Sequence, residues 1–287
     1  MKIDIILIAY NQERYIAQAV KSIIMQQVDK NVEVRVIVAD DCSDDKTLDI
    51  IKSYEATSPF PFVYLDNKTN VGHVLNYQRA FSACNGDYIA IIEGDDWWSS
   101  TTHIQTHLNY LQEHYECVLT TTTPILYNNN FYSTSHYNTI GDNITIYSTQ
   151  DFLPTNKIVN LSACVIRHST LKMITPNVFC ADLLDWILYI ALSEYGVLVR
   201  LKIVTSIYRI NTEGYWNKMT LQQQIAYKLK VLTDYDKLLN GKYHNSIENA
   251  KLLLENKKSY KKYIKKFIPP IIFHILRLFL PPILLAK

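Results

Sequence analysis

The run Tyr88–Trp98, Tyr-Ile-Ala-Ile-Ile-Glu-Gly-Asp-Asp-Trp-Trp, joins a short apolar strand to three carboxylates, Glu93, Asp95 and Asp96, and then to two indoles. Oxygen ligands this close together, with no His or Cys beside them, suit a hard divalent cation such as Mg²⁺ or Mn²⁺. Such a cation is most useful where the bound molecule carries phosphate. A strand that ends in a solvated acidic turn is the competing reading, and a bare Asp-Asp does not choose between the two. A second acidic cluster lies upstream in Val38-Ala39-Asp40-Asp41-Cys42-Ser43-Asp44-Asp45. Open α/β sheets bind ligands in the crevice outside the carboxyl ends of their strands, so both clusters can face one ligand. One carboxylate accepting from a base N–H, with another holding a metal on the diphosphate, would bind a nucleoside diphosphate. Taken alone, Asp40-Asp41 is more often a turn or a helix N-cap.

The elements that must position these acids are legible from periodicity. Ile3–Tyr10 reads as a strand, and Arg14–Gln27 as a helix with Ile16, Ala19, Val20, Ile23 and Ile24 at helical spacing. Val32–Ala39, Phe62–Leu65 and Tyr88–Ile92 follow as strands, separated by helices over Thr47–Tyr54 and Val74–Ala83. This alternation predicts an α/β fold, a Rossmann-like, mostly parallel sheet flanked by helices. Beyond Thr101 the pattern predicts a helix over His103–His114 and a Thr-rich strand over Val118–Tyr127. A polar loop over Tyr127–Asn143, a helix over Asp182–Tyr195 and strand material over Val197–Ile210 come next. Leu221–Leu239 and Ile247–Phe267 are helical in composition. No Gly-x-Gly-x-x-Gly follows the first strand and no Gly-x-x-x-x-Gly-Lys-Ser/Thr occurs, which argues against a Rossmann dehydrogenase or a P-loop NTPase.

The bulk properties allow one large α/β domain, or one domain with an appendage. Of 287 residues, 48% are hydrophobic, enough for a substantial core, and the net charge of +2 argues against a nucleic-acid partner. The 21 tyrosines suggest polar aromatic surfaces of the kind that hold sugars. Five scattered cysteines, without a Cys-x-x-Cys pair, point to neither a disulfide framework nor a zinc site, and so to a reducing cytoplasm. The first apolar run is interrupted by Asp4 and leads into Asn11-Gln12-Glu13, a buried strand rather than a secretory signal. Lys251–Lys266 carries seven Lys against Glu255, and Phe267–Ala286 is apolar but broken by Pro269-Pro270 and Pro281-Pro282. A spanning helix wants roughly 20 uninterrupted apolar residues. The tail therefore reads as an interfacial segment on anionic lipid, at the inner face of the cell membrane, with a packed helix or a homo-oligomer contact as alternatives.

Four segments together resemble the inverting family 2 glycosyltransferases of the GT-A fold, of the bacterial cell-surface glycan type. They are Ile6–Gln27, Val38–Thr47, Asn70-Val71-Gly72 and Arg79–Trp98, in the family's order and spacing. The resemblance implies that Ala9, Tyr10, Asn11, Asp41 and Arg79 bind the nucleotide-sugar donor, a UDP-sugar being the expected one. Glu93-Gly94-Asp95 stands at the family's Asp-x-Asp motif, so Asp95 inherits the Mn²⁺ or Mg²⁺ contact and Glu93 and Gly94 support the donor. Asp96, Trp97 and Trp98 are placed on the acceptor side, with one indole expected to offer a flat apolar face to a sugar ring and the other to anchor the core or a lid. Asn160–Arg167 resembles the strand that floors the acceptor site. Leu184-Asp185-Trp186-Ile187-Leu188 resembles the family's Gly-Asp-Trp-x-Leu segment, which makes Asp185 the catalytic base and Asp182 its fallback. Tyr208–Asn217 resembles a segment near the diphosphate, with Asn211 where His is usual and Arg209 either on phosphate or in a structural ion pair. The implied layout is a GT-A domain over residues 1–217, with a nucleotide half (1–100) and an acceptor half (101–217). A helical extension with the membrane-associating tail fills 218–287. The implied activity is metal-dependent transfer of a hexose-type sugar to a glycan or lipid-linked acceptor in surface polysaccharide biosynthesis. A sugar nucleotidyltransferase is the second enzymatic reading, although Tyr10–Arg14 lacks the Gly-rich basic loop it would need. A non-catalytic nucleotide-sugar or glycan-binding module is the third.

Overall fold

The computed structural model describes residues 1–128, 131–134, 144–174, 178–179, 184–210 and 218–267. The chain forms two compact units, Met1–Asn211 and Thr212–Lys287.

The first unit begins with β1 (Lys2–Ala9), α1 (Ile16–Ile24), β2 (Glu33–Asp40), α2 (Thr47–Ser53), β3 (Phe62–Tyr64), α3 (His73–Ala83) and β4 (Tyr88–Glu93). Strand β1 pairs in parallel with β2 on one side and β4 on the other. Ile3, Ile5, Ile6 and Leu7 are all buried, so both faces of β1 are covered, as central parallel strands require. The polar exception is Asp4, which takes two bonds from Arg35 (2.9 and 3.0 Å) and the N–H groups of Asn85 and Gly86 (2.7 and 2.8 Å). Burial alone would raise Asp4; these donors bring it below the usual carboxylate range. The pair locks β1, β2 and the α3–β4 turn together.

The second half adds β5 (Trp97–Trp98), α4 (His103–Glu113), β6 (Cys117–Thr122), β7 (Ile125–Asn128), β8 (Phe131–Thr134), β9 (Ile144–Tyr147), α5 (Thr149–Phe152), β10 (Cys164–Arg167), α6 (His168–Leu171), α7 (Leu184–Ser193), β11 (Val197–Leu201) and β12 (Ser206–Arg209). The main sheet has eight strands in the order β3-β2-β1-β4-β10-β6-β11-β9, and a smaller sheet runs β5-β12-β7-β8. Only β10 and β9 oppose their neighbours in the main sheet. The Rossmann-like, mostly parallel α/β sheet expected from the alternation is thus the one observed.

The small sheet departs from the sequence expectations. Val118–Tyr127 is not one strand: Pro124, which has no N–H for a ladder, separates β6 from β7. Part of the expected Tyr127–Asn143 loop is strand, because β8 folds back antiparallel on β7. Val197–Ile210 also divides, β11 entering the main sheet and β12 the small one.

The second unit is a helical hairpin of α8 (Leu221–Leu238) and α9 (His244–Phe267). Thr220 and Gln223 close a capping box on α8. Its carboxyl end turns through Asn240 and Gly241, both at positive φ, where glycine costs least. No helix among the described residues is long and apolar enough to cross a membrane. The apolar tail after Phe267 lies outside the described residues, as do Asp182 and Asn211.

Candidate active site

Parallel register carries the two acidic clusters to one edge of the sheet. Ala9 pairs with Asp40 and Ile8 with Glu93, so the ends of β1, β2 and β4 lie side by side. Asp41 is tied to β1 by its N–H on the Ala9 carbonyl (2.9 Å). Its buried carboxylate accepts from Asn67 Nδ2 (3.1 Å) and from the N–H groups of Val71 (2.9 Å) and Gly72 (2.8 Å). Asp41 therefore folds the 67–72 loop over the crevice, with Gly72 at φ 85 leading into α3. Asn11, at φ 50, accepts from the Asp44 N–H through its side chain (3.0 Å) and donates its own N–H to Ser43 Oγ (2.9 Å). Tyr10 next to it is 47% exposed, a ring open to a ligand. Arg79 projects from α3 to the Asp66 carbonyl, adjacent to Asn67, and so borders the same loop.

The carboxylates of Glu93, Asp95 and Asp96 converge, with one oxygen of each within 4.8 Å of the others. Gly94 packs closely against the β1–α1 turn: a Cβ there would lie 2.7 Å from Ile16 Cδ1 and meet the Gln12 side chain, so both side-chain ends would have to move. Glu93 accepts from the Tyr77 hydroxyl (2.8 Å), and its N–H is held by Ser162 Oγ (3.0 Å). Burial, then the charge of Asp95, raises Glu93 to about 7. Glu93 and Asp95 offer the hard oxygen set that Mg²⁺ or Mn²⁺ takes, and a cation between them would relieve this repulsion.

Asp96 has a different task. It is 1% exposed, and its oxygens accept from Asn160 Nδ2 (2.7 Å), Ser162 Oγ (2.6 Å) and the Arg209 N–H (2.8 Å). Burial first, then Asp95 and Glu93, push it well above the ordinary carboxylate range. The expectation that Asp96 touches acceptor gives way to that of an internal brace. Of the two indoles, Trp98 is the core anchor. It is buried, donates Nε1–H to the Ser162 carbonyl (2.8 Å) and stacks on His103 at 4.5 Å. Trp97 keeps a partly open face, edge-on to Tyr127 at 5.4 Å. Arg209 is neither in an ion pair nor unengaged: Nε donates to the Asp95 carbonyl and one terminal nitrogen to Gln18 Oε1, both at 2.8 Å. Tyr15, Trp97 and Tyr127 surround its guanidinium at 4.6, 4.7 and 5.1 Å. Arg209 thus clamps the acid-bearing loop to α1.

Asp185, in the first turn of α7, comes close enough to add its charge to the fields at Glu93 and Tyr77. Its carboxylate accepts from Asn156 Nδ2 at 2.8 Å. The Tyr208 phenol faces the same group, raised by burial and then by Asp96, Glu93, Asp95 and Asp185, so it stays protonated and can only donate to an anion. Tyr77, Asn156, Ser162 and Tyr208 escaped the reading of residues one by one. Ser162 and Tyr208 fall within segments that resemble family motifs, whereas Tyr77 and Asn156 carry no local signal.

Two further features lie elsewhere. Asp236, His244 and Glu248 also converge, but His244 is engaged by Asp236 (2.7 Å) and Glu248 by Lys251 (2.6 Å). A cavity of about 520 Å³ lined by Asn85, Asp87, Tyr88, Arg167 and Lys172 opens where β4 begins, at the opposite end of that strand from the acids.

The sheet order and the acid-bearing strand ends are those of a GT-A-like nucleotide-sugar fold. The chain belongs to glycosyl transferase family 2, whose model matches residues 4–169. It is 30% identical over 220 residues to an uncharacterised protein of Mycobacterium tuberculosis, covering 75% of this chain and 60% of that one. The chain thus spans three fifths of that relative's length. Among solved structures, it resembles Staphylococcus aureus TarS in complex with UDP-GlcNAc, with TM-score 0.65 and 16% identity over 94% of this chain and 77% of that one. It also resembles the mannosyltransferase PcManGT from Pyrobaculum calidifontis in complex with GDP-Man and Mn²⁺, with TM-score 0.60 and 11% identity over 96% and 78%. These two likenesses concern the fold.

Proposed function

We propose that this protein is a metal-dependent inverting glycosyltransferase. It moves a sugar from a nucleotide donor, a UDP-sugar by preference, to a glycan or lipid-linked acceptor of surface polysaccharide synthesis. The observation that carries the reading is the convergence of the Glu93 and Asp95 carboxylates at the end of β4, beside the Asp41-bound loop, with the charge of Asp185 on α7 reaching Glu93. Tyr10, Asn11 and Asp41 form the base end of the donor crevice, and Glu93 with Asp95 its diphosphate end. Held by Glu93 and Asp95, Mn²⁺ or Mg²⁺ would supply electrostatic stabilisation of the departing diphosphate. Asp185 takes the proton from the acceptor hydroxyl as that oxygen attacks the anomeric carbon opposite the leaving group, and a single displacement inverts the centre. Trp97 offers its open face to a sugar ring. Support also comes from two structural neighbours that hold UDP-GlcNAc and GDP-Man, the second with Mn²⁺. The Lys-rich end of α9 suits an acceptor carried on an anionic membrane surface.

The test is transfer by purified wild-type, Asp95→Asn and Asp185→Asn proteins with Mn²⁺. Each variant should retain the fold and lose about 10²-fold or more in turnover, the usual share of general acid–base or electrostatic catalysis. Full turnover in either would assign its role elsewhere.

A further inference from the structure

One short segment fastens both halves of the chemistry. Asn156 donates Nδ2 to Asp185 Oδ2 at 2.8 Å while its own Oδ1 accepts the Ile158 N–H at 3.0 Å. That second bond settles which end of the amide faces Asp185. Four residues on, Asn160 donates to Asp96 at 2.7 Å. Ser162 then donates to Asp96 at 2.6 Å and accepts the Glu93 N–H at 3.0 Å. The segment is itself anchored: Ile158 and Leu161 are buried, and Arg200 donates to the Lys157 carbonyl at 2.6 Å.

We infer that residues 156–162 are a strap that sets the base against the acid cluster, and that Asn156 is the positioning residue of the base. This rests on the assignment of Asp185 as base. A displacement tolerates little misalignment between acceptor hydroxyl and leaving group, so a base on α7 must be registered to acids at the end of β4. The strap does this through side-chain amides and a hydroxyl, which add no charge to an already acidic site. Asn156 has a second effect. A donor on a carboxylate favours the ionised form, the one that can accept a proton. It works against Glu93, whose negative charge faces Asp185 from β4, while Tyr77 on α3, Cys164 on β10, Tyr189 on α7 and Tyr208 on β12 face it as neutral groups.

The experiment is the pH profile of Mn²⁺-dependent donor hydrolysis, in which water takes the acceptor's place before the base. It uses whichever of UDP-glucose, UDP-galactose, UDP-N-acetylglucosamine and GDP-mannose the wild-type protein turns over fastest. Asn156→Ala should lower kcat roughly ten- to hundredfold with donor KM little changed. Its acid limb should move up by about one pH unit, the worth of one hydrogen bond to a charged group. Asn156→Asp is nearly isosteric, keeps the Ile158 contact and serves should the alanine variant fail to fold. It sets a second carboxylate against Asp185, so its limb should move further still. Folded variants with an unmoved limb, or with a loss confined to donor KM, would overturn the role of Asn156. A wild-type protein that hydrolyses none of the four donors would instead overturn the glycosyltransferase reading on which that role depends.

Discussion

At the scale of single residues, the site is a set of acids that differ in what surrounds them. Asp96 is spent on internal hydrogen bonds, whereas Asp41 ties down the 67–72 loop at the base end of the crevice and Asp40 holds Ser43. Glu93 is raised to about 7 by burial and then by Asp95, and Asp96 is raised in the same sense. The sign of the Glu93 shift has a measurable consequence. Between the unfolded carboxylate value and pH 7 the folded protein binds more protons than the unfolded chain at Glu93, so this group stabilises at pH 5 and the benefit is lost as pH rises through 7. Without metal, the melting temperature should therefore fall from pH 5.5 to 8, and Glu93→Gln should flatten that slope. Asp4, held low by Arg35 and backbone donors, contributes in the opposite sense, but below its ordinary value and outside this window. Gly94 is the other exacting residue. Gly94→Ala should cost about 1–3 kcal/mol by overpacking against Ile16 and displace Asp95, seen as lost stability together with weaker Mn²⁺ binding. The carboxylates were legible because two acidic clusters follow two strands of one expected sheet, in the order and spacing of the family's motifs; one acidic strand end alone did not separate a metal site from a solvated turn. The separate roles of these acids were not legible, because burial and partners such as Asn160, distant in sequence, decide whether an acid faces a ligand or a neighbour.

At the scale of elements, the first hundred residues read almost directly as structure. Strands β1, β2 and β4 are short Ile/Val-rich runs buried on both faces, and α1 shows a clear apolar stripe, whereas β3 is a half-buried three-residue edge strand marked by Phe62, Val63 and Tyr64. The small sheet was hidden for physical reasons. Two-residue β5 is too short for any period, β7 reads as the end of one strand with β6, and β8 lies in a segment whose Asn, Ser and Tyr content mimics a loop. Yet this sheet seats Arg209 against the Asp95 loop and aims Tyr208 at the carboxylates. Trp98 joins it to the main core by its bond to Ser162 and its stack on His103. Trp98→Ala should destabilise by about 3–5 kcal/mol, as for other buried aromatic truncations, in a denaturant titration. Trp97→Ala should leave stability closer to wild type and lower transfer instead. A reversal of these two effects would exchange the roles of the indoles.

At the scale of the whole molecule, the chain divides into two compact units, Met1–Asn211 and Thr212–Lys287, each with its own test. The Lys-rich stretch ending α9 should hold the protein to vesicles containing anionic lipid, release it as salt screens the charge, and leave neutral vesicles unbound in sedimentation. Equal binding to both vesicle types would point to the apolar residues alone. The central claim, however, concerns the first unit: that its two acidic strand ends bind a nucleoside diphosphate through a divalent cation. Thermal melting with UDP, GDP, ADP and CDP, each with and without Mn²⁺, tests this directly. A ligand at about a hundredfold its Kd stabilises the native state by about 2.7 kcal/mol. One nucleotide should raise the melting temperature by several degrees with Mn²⁺ and much less without it, and Asp95→Asn should abolish the metal-dependent part. No shift with any nucleotide, or an equal shift with and without Mn²⁺ in wild type and variant, would contradict the account.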